Sequence, residues 1–470
     1  MLSILRLYRV IPIEEDSSSI KLMVPSDISP EVLEEIRFIT GKSLKLVKLD
    51  PQEFSKVLQE RLAQEAIFVE GQEDDGSEPA DILYEDESSP AVAFVNQTLI
   101  KATTVGASDI HIEPYQSSVH VRFRLDGILN EYTTIPHSLH EQVVLRIKVL
   151  ANLNVAEKRV PQDGKISIRV GQRHFDVRTS VVPSVFGERV VLRLLERGAK
   201  LLELQDLGLS DEDLLRLKRL SQKPYGMIIA TGPTGSGKST TLYAMILSIK
   251  SPSKNIITIE DPPEYQIEGV SQVQVNPKVG LTFASGLRAL LRQDPDIIMV
   301  GEIRDSETAQ IATQAALTGH LVLSTLHTND APSAITRLSD LGIEPFLIAS
   351  SLEGVLAQRL VRRICEHCKV EYTPSEEELS QLGLSRGVFY KGQGCERCMH
   401  TGYRGRTALF EVLELNDDIK RLIVRTQDSN EISNFLKSQG FSTMLQDGIK
   451  KVLNGITTAE EVLRAVKSQQ

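Results

Sequence analysis

The segment GMIIATGPTGSGKSTT, residues 226–241, combines residue types that are suited to binding a phosphate chain. A glycine-rich loop lies there between an apolar strand and the start of a helix. Glycines let backbone N–H groups converge on phosphate oxygens, and the helix N-terminus adds partial positive charge. The loop fills the pattern G-x-x-x-x-G-K-[ST] with Gly232, Pro233, Thr234, Gly235, Ser236, Gly237, Lys238, Ser239 and Thr240.

The last residues of this loop have distinct predicted roles. Lys238 is expected to contact the β- and γ-phosphates, and the Ser239 hydroxyl to bind magnesium. The alternative, a purely structural glycine turn, would not need the Lys-Ser pair. The segment therefore predicts a site for ATP and Mg²⁺.

Acidic residues follow two further apolar strands. NIITIEDPPEYQ ends a strand with Glu260, Asp261 and Glu264, and DPDIIMVGEIRD places Glu302 where an Asp is usual. The carboxyl ends of strands in an open α/β sheet face the ligand crevice. Hydrolysis needs one carboxylate that orients or deprotonates water and another on the magnesium side.

Histidines flank a fourth apolar strand, in HLVLSTLHTND. His327, at its end, is a candidate for sensing the nucleotide, and His320, at its start, is a weaker one. A histidine beside an apolar strand is often a turn residue whose hydrogen bonds are satisfied locally, and that reading stays open for both.

These four boxes, GPTGSGKST, ITIEDPPEY, IIMVGEIRD and TGHLVLSTLHTND, occur in an order that resembles the secretion ATPases of type II secretion systems and type IV pili. The resemblance runs from about Ser108 to Val466. It implies a RecA-like P-loop domain in which Glu302 is the metal-side carboxylate and Glu264 is the catalytic one. It also supports a catalytic role for Lys238 and His327.

Basic residues that complete the site are expected mainly from the preceding domain. Arg178 and Arg193 match positions where family members present arginines to the triphosphate, and Arg189 is a weaker match. Lys165 stands where relatives often have Arg, which keeps the charge and loses the guanidinium fork. Arg304 is a further candidate from the P-loop domain. The alternative is that these are solvated strand charges.

All four cysteines of the chain occur as two C-x-x-C pairs separated by 26 residues: Cys365, Cys368, Cys395 and Cys398. Four thiolates are the ligand set of a closed, structural zinc site. Disulfides are the alternative, and a reducing compartment disfavours them. Just beyond, Arg404 and Arg406 either contact phosphate, as the resemblance suggests, or are turn charges.

Strand and helix patterns divide the 470 residues into several parts. The fold class is α/β: the parallel sheet of the P-loop domain follows an α+β domain with an antiparallel sheet. The predicted parts are an N-terminal α/β docking module (1–70), an acidic flexible linker (71–90), the α+β domain (91–203), the ATPase core (204–364), a zinc hook (365–402) and a helical subdomain (403–470).

The N-terminal module is predicted from two helices and a strand. SPEVLEEIRFI and DPQEFSKVLQERLA each have a cap, Ser29 or Asp50, before a Pro, and SLKLVKL alternates like a strand. The linker holds eight acidic residues and no Lys or Arg, which accounts for most of the net charge of −10. Such a composition does not favour a packed structure.

Composition narrows the function classes. The longest apolar runs are too short for a membrane span, and the N-terminus lacks the features of a signal peptide, so we expect a cytoplasmic chain. A nucleic-acid-binding zinc protein is disfavoured because the chain is acidic and has no Trp and 5% aromatic residues. A scaffold that binds ATP without turnover remains an alternative.

The resemblance implies an ATP-hydrolysing motor that powers pseudopilus assembly and protein export by a type II secretion system. It also implies a homo-oligomer, a hexameric ring, that is peripheral on the cytoplasmic face of the inner membrane. Its N-terminal module would dock onto inner-membrane platform proteins. The alternative within the family is a type IV pilus assembly ATPase, whereas the four cysteines disfavour the retraction branch.

Overall fold

The computed structural model describes the following residues: 10–15, 19–26, 28, 33, 43–50, 54, 67–69, 89–171, 173–198 and 201–467. The chain divides into two compact units, Met1–Arg197 and Gly198–Gln470, which are described separately. No helix in the described ranges is both long enough and apolar enough to cross a membrane.

The first unit begins with a three-stranded sheet. Its strands are β1 (Ile11–Glu15), β2 (Ser19–Pro25) and β3 (Ser43–Leu49). β2 pairs antiparallel with β1 and parallel with β3. Ile20, Leu22 and Val24 alternate along β2 and are fully buried, as expected for one face of a strand. The strand predicted from SLKLVKL is confirmed as β3.

Most of the other predicted features before residue 89 lie outside the described residues. These include Ser29, the greater part of both predicted helices, and residues 71–88 of the predicted linker. Leu33 and Phe54 are helical. The backbone N–H of Phe54 donates to the carbonyl oxygen of Asp50 at 2.8 Å, which is the spacing of a helical turn.

The rest of the first unit, as far as its residues are described, is a seven-stranded antiparallel sheet with two helices, which confirms the α+β prediction. The strand order is β4-β8-β9-β10-β5-β6-β7. The elements are β4 (Ile67–Val69), α1 (Pro90–Val105), β5 (Asp109–Pro114), β6 (Val119–Leu125), β7 (Ile128–Ile135), α2 (His137–Leu150), β8 (Gln162–Val170), β9 (Arg173–Ser184) and β10 (Gly187–Arg197).

One face of this sheet belongs to a core shared with both helices, and the other is polar. Val95 and Leu99 of α1 lie in the same buried cluster as Val177 of β9 and Leu192 of β10. β4 pairs with β8, so residues 67–69 join this sheet although the predicted N-terminal module extended to residue 70.

The second unit contains a second seven-stranded sheet, in the order β13-β12-β14-β15-β11-β16-β19. The four strands predicted from apolar runs are confirmed, and all pair in parallel with their neighbours among them. The strands are β11 (Gly226–Thr231), β12 (Ile256–Glu260), β13 (Ser271–Gln274), β14 (Ile297–Val300), β15 (Leu321–Leu326), β16 (Leu352–Ile364), β17 (Lys369–Tyr372), β18 (Phe389–Gly392) and β19 (Tyr403–Glu414).

Helices alternate with these strands and then form the C-terminal part. They are α3 (Asp211–Ser221), α4 (Lys238–Ile249), α5 (Phe283–Leu290), α6 (Ser306–Leu317), α7 (Ala331–Asp340), α8 (Pro345–Ser351), α9 (Glu376–Gln381), α10 (Asp417–Arg425), α11 (Ser429–Ser438), α12 (Met444–Leu453) and α13 (Ala459–Lys467). β11, β12, β14 and β15 are buried throughout because helices cover both faces of a parallel sheet.

The C-terminal boundary of the ATPase sheet differs from the prediction. β19 pairs antiparallel with β16 and closes the edge of the sheet, so the predicted helical subdomain 403–470 begins with a strand of the ATPase core. Its sequence combines a charged, alternating start with a short buried run. Periodicity alone does not distinguish such a buried run from a helix.

Candidate functional site

The predicted phosphate-binding loop connects the end of β11 to the start of α4. Gly232 has φ 148° and Gly237 has φ 89°, a backbone region that other residues rarely adopt. A Cβ at Gly232 would lie 2.4 Å from the Gln358 carbonyl oxygen. The loop therefore requires glycine at this position for both conformation and space.

Lys238 is the first residue of α4 and is 8% exposed. Its Nζ donates to the carbonyl oxygens of Gly232 and Pro233, at 2.8 and 3.1 Å. Burial lowers the pKa of Lys238, whereas the charges of Glu302 and Glu264 raise it. Both predicted carboxylates thus lie close enough to influence this amine.

The loop also offers further groups for a triphosphate with its magnesium ion. The Ser236 hydroxyl is buried and has no hydrogen-bond partner within the described part of the chain. Ser239 and Thr240 are half-buried in the first turn of α4, and Pro233, Thr234 and Gly235 are exposed. A buried, unpaired hydroxyl beside a lysine at a helix N-terminus fits a phosphate-binding cradle.

Two neighbouring strands bring Glu302 and His327 together. Glu302 follows β14 and His327 follows β15, and these strands pair in parallel. His327 Nε2 lies 3.4 Å from a Glu302 carboxylate oxygen, and Arg304 Nε lies 2.5 Å from the same oxygen. The Glu302 side chain is mostly buried, whereas those of Arg304 and His327 are exposed.

The segment after β12 separates its acidic residues by burial. Glu260 is 3% exposed, whereas Asp261 and Glu264 are exposed. Glu264 is therefore accessible to a reacting group, and its backbone N–H donates to the Tyr243 hydroxyl at 3.2 Å. Glu260 is enclosed by protein groups and is not accessible in this way.

The structure does not bring His320 to this site. His320 lies at the opposite end of β15 from His327, and its Nδ1 is 3.0 Å from the carbonyl oxygen of Ala315. At about 3.3 Å per residue, the length of the strand separates the two histidines by roughly 20 Å. The weaker candidate is thus a turn residue whose ring bonds locally.

A glutamine that lies outside the sequence motifs, Gln358, also supports the phosphate-binding loop. Gln358 of β16 donates from Nε2 to the Ser236 carbonyl oxygen at 2.7 Å and accepts from Thr241 Oγ1 at 2.8 Å. The only sequence signal is a polar residue within the apolar run GVLAQRLV. A buried amide in such a run requires partners, which indicates a structural contact.

A second missed contact joins the loop to the histidine segment. The Thr231 hydroxyl accepts a hydrogen bond from the backbone N–H of Thr328 at 2.9 Å, and it also forms a hydrogen bond with the Thr328 hydroxyl at 2.7 Å. Arg359, next to Gln358, donates to Asn329 Oδ1 at 3.0 Å. β16 therefore contacts both the phosphate loop and the residues that follow His327.

The predicted arginines lie on the polar face of the sheet in the first unit. Arg178 and Arg193 are exposed and directly opposite one another on β9 and β10. Lys165 of β8 continues the row beyond Arg178, and Asp109 of β5 continues it beyond Arg193. Arg193 Nε donates to an Asp109 carboxylate oxygen at 2.9 Å. Adjacent strands thus present three cations in one row.

Arg189 lies elsewhere on the same sheet. Its guanidinium is 2.5 Å from the buried carboxylate of Glu113, which Arg122 contacts at the same distance. Arg404 and Arg406, in β19, are exposed, and Arg406 is directly opposite Arg362 of β16.

The four cysteines form one cluster, which could hold a metal ion. The Sγ–Sγ distances are 3.9 Å for Cys365 and Cys395, 3.9 Å for Cys368 and Cys398, and 3.7 Å for Cys395 and Cys398. A tetrahedron of thiolates at the usual Zn–S length has edges of about 3.8 Å. Sulfur atoms joined in a disulfide would be only about 2 Å apart. The four cysteines are free, so the disulfide alternative is not supported.

Backbone groups support the thiolate reading of this cluster. The N–H groups of Cys395 and Gly402 donate to Cys398 Sγ at 3.2 and 3.3 Å. Such donors stabilise negative charge on sulfur. His367 lies outside the cluster and contacts Arg397 instead.

Comparison with known families matches residues 84–464 to the family described as Type II/IV secretion system protein, and residues 2–67 to the MshEN domain. The chain is 45% identical over 484 aligned positions to Type II secretion system protein E of Dickeya dadantii, covering 99% of this chain and 97% of that relative.

Two further similarities extend this picture. The chain is 53% identical over 382 positions to the Type IV pilus assembly ATPase PilB of Thermus thermophilus, covering 80% of this chain but only 43% of that relative. The crystal structure of the pilus retraction motor PilT with bound ADP has a TM-score of 0.53 at 30% identity, covering 78% of this chain and 96% of that one.

Proposed function

This chain belongs to the type II/IV secretion system protein family, and on that premise we propose that it is the ATP-hydrolysing motor of a type II secretion system. In this role it powers the assembly of a pseudopilus and the export of proteins. One observation carries the proposal: Glu302 contacts both His327 and Arg304 at the ends of neighbouring strands. The Glu302 carboxylate also lies close enough to Lys238 to affect the pKa of the lysine.

The P-loop residues bind the substrate in this proposal. The loop from Gly232 to Thr240 acts as the P-loop of a RecA-like domain. Its backbone N–H groups and the Lys238 amine hold the phosphates of ATP. Ser239 and Glu302 hold a magnesium ion, which when bound neutralises charge on the phosphates. His327 contacts Glu302 and reports whether the terminal phosphate is present.

Glu264 orients and deprotonates the attacking water. Its support is twofold: it is exposed, and its charge acts on Lys238, which marks the position of the phosphates. Glu260, the other glutamate of the segment, is already bonded by protein donors. Of the two, Glu264 is the one that can reach water and substrate.

Arg178 and Arg193 stabilise the negative charge that develops on the phosphate in the transition state. Lys165 lies beside them in the same row. In a hexameric ring of identical chains, the binding and hydrolysis of ATP are converted into mechanical displacement.

The four cysteines hold a structural zinc ion. Cys365, Cys368, Cys395 and Cys398 fill all four positions of a tetrahedral shell, which leaves no open position for catalysis. The near-tetrahedral sulfur spacing and the N–H donors to Cys398 support this assignment.

We further propose that the chain works at the cytoplasmic face of the inner membrane, with residues 1–70 docking onto the membrane platform of the secretion machinery. The alternative is a pilus assembly ATPase. The type II assignment is supported by the extent of the match, which spans 97% of the type II relative but 43% of the pilus assembly relative.

The proposal predicts separate effects for two variants. Lys238→Ala loses the amine that binds phosphate, so ATP affinity falls at least about 10-fold. Glu264→Gln keeps ATP affinity within about twofold, and kcat falls about 100-fold or more because the general base is lost. Steady-state phosphate release and binding of a fluorescent ATP analogue measure the two quantities.

The matched control is Glu268→Gln, which neutralises an exposed glutamate four residues further along the same segment. It should hydrolyse ATP at the rate of the unaltered protein. A Glu264→Gln variant with undiminished kcat would contradict the catalytic assignment. A chain that binds ATP and releases no phosphate, even as a ring, would contradict the motor and support the scaffold alternative.

A further inference from the structure

The Tyr243 hydroxyl lies between the P-loop helix and the segment that carries Glu264. Tyr243 belongs to α4, and its side chain is 1% exposed. The hydroxyl donates to a carboxylate oxygen of Glu260 and accepts the backbone N–H of Glu264 at 3.2 Å. One buried oxygen thus contacts both ends of the turn between Glu260 and Glu264.

Glu260 is suited to anchor this hydroxyl. Besides Tyr243, its carboxylate accepts from Thr258 Oγ1 at 2.6 Å and from Gln272 Nε2 at 3.1 Å. Burial raises the pKa of Tyr243, and the bond to Glu260 raises it further, so the hydroxyl keeps its proton and remains a donor. A carboxylate that accepts hydrogen bonds from three protein groups is held in place and does not act as a reacting group.

Gln272 of β13 extends the same network along the segment. Its Nε2 also donates to the Tyr265 carbonyl oxygen at 2.9 Å, and its Oε1 accepts the backbone N–H of Ile267 at 2.8 Å. The Tyr265 ring meets the Tyr243 ring edge to face, with centroids 6.2 Å apart. The backbone is therefore held on both sides of Glu264.

We propose that Tyr243 is a positioning residue, whose hydroxyl fixes Glu264 relative to the helix that begins with Lys238. The inference rests on the proposed role of Glu264 in ATP hydrolysis. Lys238 and Tyr243 are five residues apart on one helix, so the phosphate-binding amine and the anchor of the Glu264 backbone move as one body. The hydroxyl sets where the glutamate stands without contacting substrate.

Replacing the hydroxyl should affect the chemical step more than binding. Tyr243→Phe keeps the ring and removes the acceptor of the Glu264 N–H, so Glu264 loses its fixed position while the loop from Gly232 to Lys238 keeps its contacts. Because a displacement of about 1 Å can cost roughly 100-fold in rate, kcat should fall between about 10- and 100-fold. KM for ATP should stay within about twofold.

The experiment compares steady-state kcat, KM and thermal unfolding midpoints of full-length variants. Tyr372→Phe is the matched control, because it also removes a tyrosine hydroxyl that bonds a glutamate, Glu378, at 2.7 Å. Tyr372 belongs to β17, which pairs with β18 in a two-stranded sheet separate from the sheet of the P-loop. A second variant, Gln272→Ala, releases the segment at Tyr265 and Ile267 and leaves Tyr243 intact. It should lower kcat in the same way.

The outcomes separate the inference from the proposed function. A lower kcat with retained KM in Tyr243→Phe, at a stability equal to that of Tyr372→Phe, supports positioning. A kcat equal to that of the control, or a raised KM with unchanged kcat, overturns it. If Glu264→Gln is inactive while Tyr243→Phe and Gln272→Ala are fully active, only this inference fails. If Glu264→Gln is itself fully active, the catalytic assignment fails.

Discussion

Buried charged residues in the second unit bind groups from more than one element, and Glu411, which is 6% exposed, is an example. This residue of β19 accepts the backbone N–H of Ala331, the first residue of α7, at 2.9 Å. It also accepts the N–H of Met444, the first residue of α12, at 3.4 Å. One carboxylate therefore ties the helix after the histidine segment to the C-terminal helices.

The environment of Glu411 predicts a pH-dependent contribution to stability. Burial raises its pKa from 4.5 to about 7, although its backbone hydrogen bonds oppose the rise. A folded-state pKa above the unfolded one means that the folded protein binds more protons. The contribution is fully present below pH 4.5 and is lost as pH rises through 7. The difference amounts to about 3 kcal/mol.

Comparison of the unaltered protein with Glu411→Gln tests this. The Gln variant does not titrate, so the free energy of unfolding of the unaltered protein, relative to the variant, should fall by up to about 3 kcal/mol as pH rises from 5 to 8. Chemical denaturation at several pH values measures it, with Glu414→Gln on the same strand as the control. A constant difference across this range would show that Glu411 does not titrate there.

Sequence reasoning was strongest for residues that are close together in the chain. Short local patterns identify the P-loop glycines with Lys238, and they identify each of the two cysteine pairs. The structure places the P-loop residues in one loop and the four cysteines in one cluster. Gln358 could not be found in this way, because its partner Ser236 is 122 residues away. Only the pairing of β11 with β16 brings the two together.

At the scale of elements, the cysteine cluster closes the outer end of the last strand pair in the second sheet. β16 ends one residue before Cys365, and Ile364 pairs with Tyr403 at the start of β19. The backbone N–H of Cys365 donates to the carbonyl oxygen of Gly402 at 3.0 Å. A metal ion bound there would hold these chain segments at a fixed separation.

Loss of one thiolate should therefore release the metal and destabilise this end. For Cys395→Ser we expect zinc content to fall from about one per chain to well below one, and the thermal unfolding midpoint to fall by several degrees. Elemental analysis and calorimetry measure the two effects. A chelator should lower the midpoint of the unaltered protein and leave that of the variant unchanged. Unchanged metal content and midpoint in Cys395→Ser would contradict the zinc assignment.

The elements themselves were predictable where their patterns were long. Apolar runs gave β11, β12, β14 and β15, and alternation gave β3. The prediction places β19 in the helical subdomain instead, because the buried run 408–413 is short and periodicity alone does not distinguish such a run from a helix. The distance of His320 from the site follows from its position at the start of β15, because the carboxyl ends of the strands face the crevice.

At the scale of the whole molecule, the first unit carries a row of cations of its own, whereas the P-loop belongs to the second unit. Among the described residues Lys165 pairs with Asp176 and Arg193 with Asp109, while Arg178 stands exposed between them, so the row is not fully neutralised. A polyanion such as a triphosphate is the complementary ligand.

The Arg178→Ala/Arg193→Ala double variant should therefore lose cations that stabilise the negative charge developing on the phosphate. Its kcat for ATP, measured as steady-state phosphate release, should fall at least about 10-fold.

The control for this prediction is Arg173→Ala. Arg173 lies on β9 five residues before Arg178, hence on the opposite face, and pairs with Glu196. Exposed pairs of this kind contribute at most about 1 kcal/mol, so folding should be retained. A kcat in the double variant equal to that in the control would mean that these arginines do not act on the triphosphate.

The pairing of β4 with β8 changes what the acidic stretch can do. Val69 belongs to the seven-stranded sheet, and Ser89 directly precedes α1, which packs against that same sheet. Both ends of the acidic stretch are therefore anchored in one folded body. Lengthening it would enlarge a closed loop, at a loop-closure cost of only about 0.6 kcal/mol per doubling of its length.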